Sequence, residues 1–91
     1  EIDNCSREYI RSKGYGEYFT TRLGHGLGLS VHEEPEISSK NNRKIEKGMV
    51  FTIEPGIYIK DKFGIRIEDA VAVTEKGTEI LNNSTKNIII L

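Results

Sequence analysis

The sequence predicts an α+β domain, in which one amino-terminal helix is followed by antiparallel strands. Residues 1–13 carry apolar side chains at helical spacing, and Gly14 then ends the pattern. Residues 49–54 and 65–74 are rich in β-branched side chains, and the turn residues at 60–64 lie between them. This spacing predicts an antiparallel hairpin against which the helix packs.

The composition is that of a small globular unit. The chain has 91 residues, 36% hydrophobic and 30% charged, with a net charge of −1. This charge disfavours nucleic acid and anionic membranes as partners. No long apolar segment or signal peptide is recognised, and the single cysteine, Cys5, excludes an intrachain disulfide, so we expect a cytoplasmic protein. Because the helical pattern begins at Glu1 without a cap, the chain is interpreted as a fragment of a longer protein.

The remaining elements follow from local patterns. Tyr9 belongs to the apolar stripe of the helix and is expected in the core. Residues 18–21 are β-prone and predict a strand, whereas the charged residues 36–47 predict a solvated loop. A short strand is expected at 79–81. The apolar tail, 87–91, is expected to be buried or paired.

Residues 24–28 alternate glycine with other side chains, and residues 24–35 contain two histidines, His25 and His32, seven residues apart. Glycine permits a close approach of backbone or ligand that larger residues prevent. Two carboxylates, Glu33 and Glu34, follow directly and are expected to be ordinary exposed charges. The glycine run therefore indicates that His25 lies where another group approaches the backbone.

The hairpin brings two further carboxylates into opposition. If its turn centres on Asp61, the numbers of paired residues add to 122, and Glu54 lies opposite Glu68. Like charges at such positions are destabilising unless one is protonated, a basic residue intervenes, or a cation lies between them. Pro55 cannot donate a ladder hydrogen bond, so it predicts a break or bulge beside Glu54.

We predict that His25, Glu54 and Glu68 form a metal site because they occur together, although a single such residue is more often a core histidine or a surface carboxylate. Imidazole with carboxylates suits manganese, cobalt or zinc, and the absence of thiolates argues against structural zinc. His32 is a candidate second ligand, acid–base group or electrophile. Arg66 lies two residues before Glu68 on the strand, which predicts an ion pair with a ligand carboxylate.

The motifs at 24–35, 48–58 and 64–69 together resemble the pita-bread metallopeptidases. Within that family they are most similar to the Xaa-Pro dipeptidase (prolidase) and aminopeptidase P branch. The resemblance implies half of a pita-bread (creatinase/aminopeptidase-like) fold, with the helix packed on a curved antiparallel sheet. It also implies that residues 1–91 are the C-terminal part of a catalytic domain.

The resemblance implies two divalent metal ions in the full-length enzyme, with manganese favoured and cobalt or zinc as alternatives. His25, Glu54 and Glu68 match three of the five ligands, and Glu68 is expected to bridge the ions. The other two ligands are aspartates that precede this region in the family, and Asp3 does not match them. The chain is therefore expected to supply only part of the site and to be inactive alone.

The implied reaction is hydrolysis of a peptide whose second residue is proline, with metal-activated water as the nucleophile. Glu54 matches a general base and His32 a group that stabilises the tetrahedral intermediate, so both are candidate catalytic residues. Arg66 matches a site-supporting arginine. The resemblance implies a homodimer, but it leaves dipeptidase and aminopeptidase activity open. The alternatives are a non-catalytic scaffold protein and a metal-independent relative similar to creatinase.

Overall fold

The computed structural model describes residues 1–91 and confirms the predicted α+β architecture. One α-helix, α1 (Ile2–Ser12), precedes a short 3₁₀ helix (Gly16–Tyr18) and seven strands. Helix α1 falls short of the length and apolarity that a membrane crossing would need. The strands are β1 (Gly24–Gly26), β2 (Glu33–Ile37), β3 (Val50–Ile53), β4 (Gly56–Ile59), β5 (Phe63–Arg66), β6 (Asp69–Thr74) and β7 (Gly77–Ile80).

The strands form two antiparallel sheets. Five strands pair in the order β2-β1-β3-β6-β7, and β4 pairs with β5 in a separate ribbon. Phe51 pairs with Val71 and Tyr58 with Gly64, so the partners' numbers add to 122 in both ladders. Asp61 lies in the turn with a φ of 62°. The predicted hairpin register is therefore confirmed.

The hairpin is interrupted where the two carboxylates lie. Glu54 and Pro55 separate β3 from β4, and Ile67 and Glu68 separate β5 from β6. Across the gap the Ile67 amide donates to the Pro55 carbonyl at 3.2 Å. The predicted single strand at 65–74 is therefore two strands, and the two glutamates are not ladder partners. The missing amide hydrogen of proline accounts for the break.

The hydrophobic core is small and lies where the loop after α1 meets strands β2, β3 and β6. Phe51 is among its largest buried side chains and packs with Val71, its cross-strand partner. Ile10 on α1 and Met49 before β3 pack against this cluster. The five buried apolar residues are Phe19, Leu23, Ile37, Phe51 and Val71.

The expectation that Tyr9 lies in the core is wrong, because its exposed fraction is 66%. Cys5, which precedes Tyr9 by four residues and so lies on the same side of the helix, is also exposed, and within α1 only Ile10 packs against the core. The helix instead buries Asp3, whose carboxylate forms an ion pair with Arg7. Polar contacts to the following loop thus set the orientation of the helix. The spacing of its apolar residues did not predict this orientation.

The predicted strand at 18–21 is also absent. The 3₁₀ helix ends at Tyr18, and the backbone then runs irregularly to β1. The Arg7 side chain donates to the carbonyl oxygens of Phe19 and Thr21, each at 2.8 Å. A guanidinium therefore takes the place of a neighbouring strand as the partner of these backbone groups.

Two further expectations need correction. Residues Glu33–Ile37 form β2, with Ile37 buried, so the predicted loop at 36–47 begins only at Ser38. The tail at 87–91 is neither buried nor in a strand. The chain leaves the sheet after β7 with the tail in solvent, and the last side-chain ion pair to the sheet joins Lys86 to Asp69. The short strand expected at 79–81 is present as β7.

Candidate metal centre

Three predicted ligands converge at one end of the five-stranded sheet. His25 lies on β1, Glu54 follows β3, and Glu68 precedes β6. Because β1 and β6 both pair with β3, the order of strands brings these positions together. Each side chain offers one ligand atom, and the three atoms lie within 4.8 Å of one another. In residues 1–91 this is the one cluster of metal-binding side chains that is so compact.

The imidazole of His25 directs one nitrogen to the backbone and the other to the carboxylates. Its Nδ1 lies 2.9 Å from the carbonyl oxygen of Gly26, which can only accept, so Nδ1 carries a hydrogen. Its Nε2 lies 3.3 Å from Oε1 of Glu54. An unprotonated Nε2 would direct its lone pair at this oxygen. A proton or a cation between the two atoms removes that conflict.

Low solvent exposure increases the need for a positive charge beside Glu54 and His25. The exposed fractions of the His25 and Glu54 side chains are 8% and 14%, so water screens the Glu54 charge only partly. The Glu68 side chain is 41% exposed and lies on the open side of the cluster. The arrangement therefore has an enclosed half, formed by His25 and Glu54, and an accessible half at Glu68.

Arg66 contributes the positive charge nearest to the two carboxylates. Its Nε lies 3.7 Å from Oε2 of Glu54, and its Nη2 lies 3.6 Å from Oε2 of Glu68. These distances are those of ion pairs rather than hydrogen bonds. One guanidinium faces two carboxylates and leaves a negative charge uncompensated, which favours a cation in the cluster.

His32 lies against the imidazole of His25 on the exposed loop before β2. The ring centroids are 4.4 Å apart and the planes are tilted by 59°. His32 is exposed, as are Glu33 and Glu34. His32 thus adjoins the cluster from the solvent side.

Thr52 is a site-forming residue that the sequence analysis missed. It is 2% exposed, and its Oγ1 accepts a hydrogen bond from the His25 amide at 3.1 Å. The same hydroxyl donates to the His25 carbonyl oxygen at 3.5 Å. Thr52 therefore fixes the His25 backbone against β3. The available signal was a hydroxyl group within the otherwise apolar run at 49–53.

The sequence model of metallopeptidase family M24 matches residues 1–75. The chain belongs to metallopeptidase family M24. Members of this family use divalent metals, and the imidazole and carboxylate oxygens of the cluster are donors that manganese, cobalt and zinc accept. The donor chemistry of this M24 chain therefore fits a divalent ion.

Relatives of this M24 chain are close in sequence and in structure. An uncharacterized peptidase of Staphylococcus epidermidis is 56% identical over 86 residues, which are 94% of this chain and 24% of the relative. A prolidase from Thermococcus sibiricus superposes with a TM-score of 0.94 at 54% identity, covering 98% of this chain and 24% of that one. An X-Pro aminopeptidase from Thermotoga maritima gives a TM-score of 0.93 at 52% identity, covering 98% and 25%.

The comparisons confirm the predicted fold class. The helix and antiparallel sheets of this M24 chain match a segment of the pita-bread prolidases. The chain spans about a quarter of the length of the relatives that it matches. The M24 membership and the fold are thus established for this segment.

Proposed function

We propose that residues 1–91 are the C-terminal part of an M24 catalytic domain that hydrolyses peptides whose second residue is proline. The observation that carries this proposal is the convergence of His25, Glu54 and Glu68. The similarity to both a prolidase and an X-Pro aminopeptidase supports the Xaa-Pro class of substrate. Because the two similarities are nearly equal, the proposal covers dipeptidase and aminopeptidase activity alike.

The proposed metal ligands are His25, through Nε2, and the carboxylates of Glu54 and Glu68. The proposal includes two divalent ions, with manganese favoured and cobalt or zinc as alternatives, and further ligands from outside this chain. Glu68, the more exposed of the two carboxylates, would hold metal from the open side of the cluster, and the family resemblance implies that it would serve both ions. Bound divalent ions would lower the pKa of a coordinated water and polarise the scissile carbonyl.

The other proposed roles belong to side chains around this cluster. Glu54 acts as general base and accepts a proton from the attacking water. His32, on the solvent side of His25, donates a hydrogen bond to the oxygen of the tetrahedral intermediate. Arg66 holds Glu54 and Glu68 in place through its two ion pairs. In this arrangement His25, Glu54 and Glu68 bind metal, and the exposed imidazole of His32 contacts substrate.

The proposal also covers partners and location. A proline-containing peptide is the proposed substrate, and the whole protein is proposed to be a homodimer. We place it in the cytoplasm, without nucleic acid or membrane as a partner. The net charge of −1 and the single cysteine support this placement.

The intact protein with Mn²⁺ is expected to cleave an Xaa-Pro peptide about a hundredfold faster than the matching Xaa-Ala peptide. We expect this difference because a site shaped for the proline ring would pack less closely against the smaller alanine side chain. Initial rates with the two peptides, before and after chelation and after Mn²⁺ is restored, provide the measurement. Cleavage that survives chelation would favour the metal-independent alternative. Mn²⁺ binding with no cleavage of any peptide would favour the non-catalytic scaffold.

The 91-residue chain alone is expected to bind Mn²⁺ weakly and to show no turnover. Three ligands leave an ion incompletely coordinated, and Glu68 remains open to water. Calorimetric titration with Mn²⁺ checks this, and far-UV circular dichroism verifies that the chain is folded. The Glu68→Gln chain serves as the control and should lose the remaining heat of binding. Tight binding of two ions by the 91-residue chain would contradict the expectation.

A further inference from the structure

The most deeply buried charge in the molecule lies on α1, away from the candidate metal centre. Asp3 is 1% exposed, and its carboxylate accepts hydrogen bonds from Nε of Arg7 at 2.8 Å and from Nη2 at 3.1 Å. This hydrogen bonding raises the pKa of Arg7 and keeps the guanidinium charged. A buried ion pair is a weak source of stability, since desolvation offsets the attraction. Its directional hydrogen bonds, however, can fix geometry.

The pair binds the segment that leads to His25. Arg7 donates through Nη1 to the Phe19 carbonyl and through Nη2 to the Thr21 carbonyl, each at 2.8 Å. Its guanidinium carbon also lies 4.1 Å from the centroid of the Phe19 ring. Of the four hydrogen bonds that Arg7 donates, two therefore join α1 to the irregular backbone that replaces the predicted strand, and the other two hold the guanidinium on Asp3 of the same helix.

Leu23 connects this ion pair to the candidate metal centre. The Leu23 amide lies 3.0 Å from Oδ2 of Asp3, to which it donates. The Leu23 carbonyl accepts from the Glu54 amide at 2.7 Å. Leu23 is fully buried and precedes His25 by two residues. The same backbone unit is therefore bonded to Asp3 on one side and to a proposed metal ligand on the other.

We infer that Asp3 and Arg7 are positioning residues for the metal centre, acting through the backbone of Leu23. The pair fixes the path of residues 19–23, and this path sets where His25 enters β1 and where the Glu54 backbone is held. Neither Asp3 nor Arg7 contacts metal or substrate in this scheme. The inference rests on the proposed function, because it assigns the geometry of the same site to residues on the helix.

The test compares Arg7→Met with Arg11→Met in the intact protein. Arg11 lies one turn further along the same helix, and its ion-pair partner is the exposed Glu8. Arg7→Met is expected to weaken Mn²⁺ binding at least about tenfold, as is typical when groups that orient metal ligands are removed. Arg11→Met should bind Mn²⁺ as the parent protein does. Titration of free Mn²⁺ by electron paramagnetic resonance measures both.

Thermal unfolding of the same variants separates positioning from simple stabilisation. If Arg7→Met lowers the Tm but the folded protein keeps the parent affinity for Mn²⁺, the inference is overturned. Arg7→Lys is the second variant, which keeps the charge but cannot span Asp3, Phe19 and Thr21 together. It should remain as weak as Arg7→Met, and recovery of parent affinity would show that charge alone suffices and refute the inference. Failure of the parent protein to bind Mn²⁺ would instead refute the proposed function.

Discussion

Replacing Glu68 by alanine in the intact protein is expected to lower kcat/KM for an Xaa-Pro peptide by at least about a thousandfold. Glu68 is the accessible carboxylate of the cluster, and its removal leaves only His25 and Glu54 from this chain. It also leaves Arg66 with a single carboxylate partner. The proposed shared ligand would be lost, together with several kcal/mol of transition-state stabilisation, which corresponds to this loss of rate. Steady-state kinetics with saturating Mn²⁺ measures the effect.

The matched control for this substitution is Glu79→Ala. Glu79 is an exposed glutamate on β7 and pairs with Ala72 across the ladder, remote in the strand order from His25. Its removal should leave kcat/KM and the metal content unchanged. Metal analysis of the purified Glu68→Ala protein should show less than the parent content. Full activity in that variant would remove Glu68 from the proposed bridging role.

The hairpin register could be predicted from the sequence because a single turn sets it. Once Asp61 is placed at the turn, each residue on one strand has only one antiparallel partner, and the observed pairs follow. The interruption could be predicted on one strand only, where Pro55 marks it. The facing break at Ile67 and Glu68 contains no glycine or proline. This break arises because Pro55 interrupts the partner strand, so the residues around the break do not reveal it by themselves.

The helix orientation could not be predicted, because the partners of its buried face are distant in the sequence. Asp3 bonds to the amide of Leu23, and Arg7 bonds to carbonyls of the irregular loop. Apolar periodicity ranks Tyr9 above Asp3 for burial, and the structure reverses that order. The convergence of the three proposed ligands could be predicted more readily. The glycines on both sides of His25 drew attention to it in the sequence, whereas no sequence motif identified Thr52.

The glycines beside His25 have a steric reason that the structure now supplies. A Cβ at Gly24 would lie 1.8 Å from the Thr52 carbonyl oxygen, and one at Gly26 would lie 2.0 Å from the Glu34 carbonyl oxygen. Both neighbours are backbone atoms of paired strands, so neither can move without breaking the ladder. The close packing of β1 against β3 and β2 therefore requires glycine at both positions.

Gly24→Ala is accordingly expected to destabilise the protein by about 3 kcal/mol, at the upper end of the usual cost of overpacking. The methyl group would push β1 away from Thr52 and carry His25 out of the cluster, so Mn²⁺ affinity should fall in the folded protein as well. Denaturant unfolding, followed by fluorescence and circular dichroism, gives the free energy of unfolding. Titration with Mn²⁺ under native conditions gives the affinity.

Gly28→Ala provides the matched control, because a Cβ there would meet a flexible side chain and not backbone. The nearest atom is Oε1 of Glu33 at 2.1 Å, at the far end of an exposed side chain that can rotate away. The expected cost is below about 1 kcal/mol, with Mn²⁺ affinity retained. Equal destabilisation by both substitutions would show that glycine flexibility, and not the approach of β1 to β3, explains the motif. A stable Gly24→Ala protein with weakened Mn²⁺ binding would instead show that the clash is relieved by moving His25 alone.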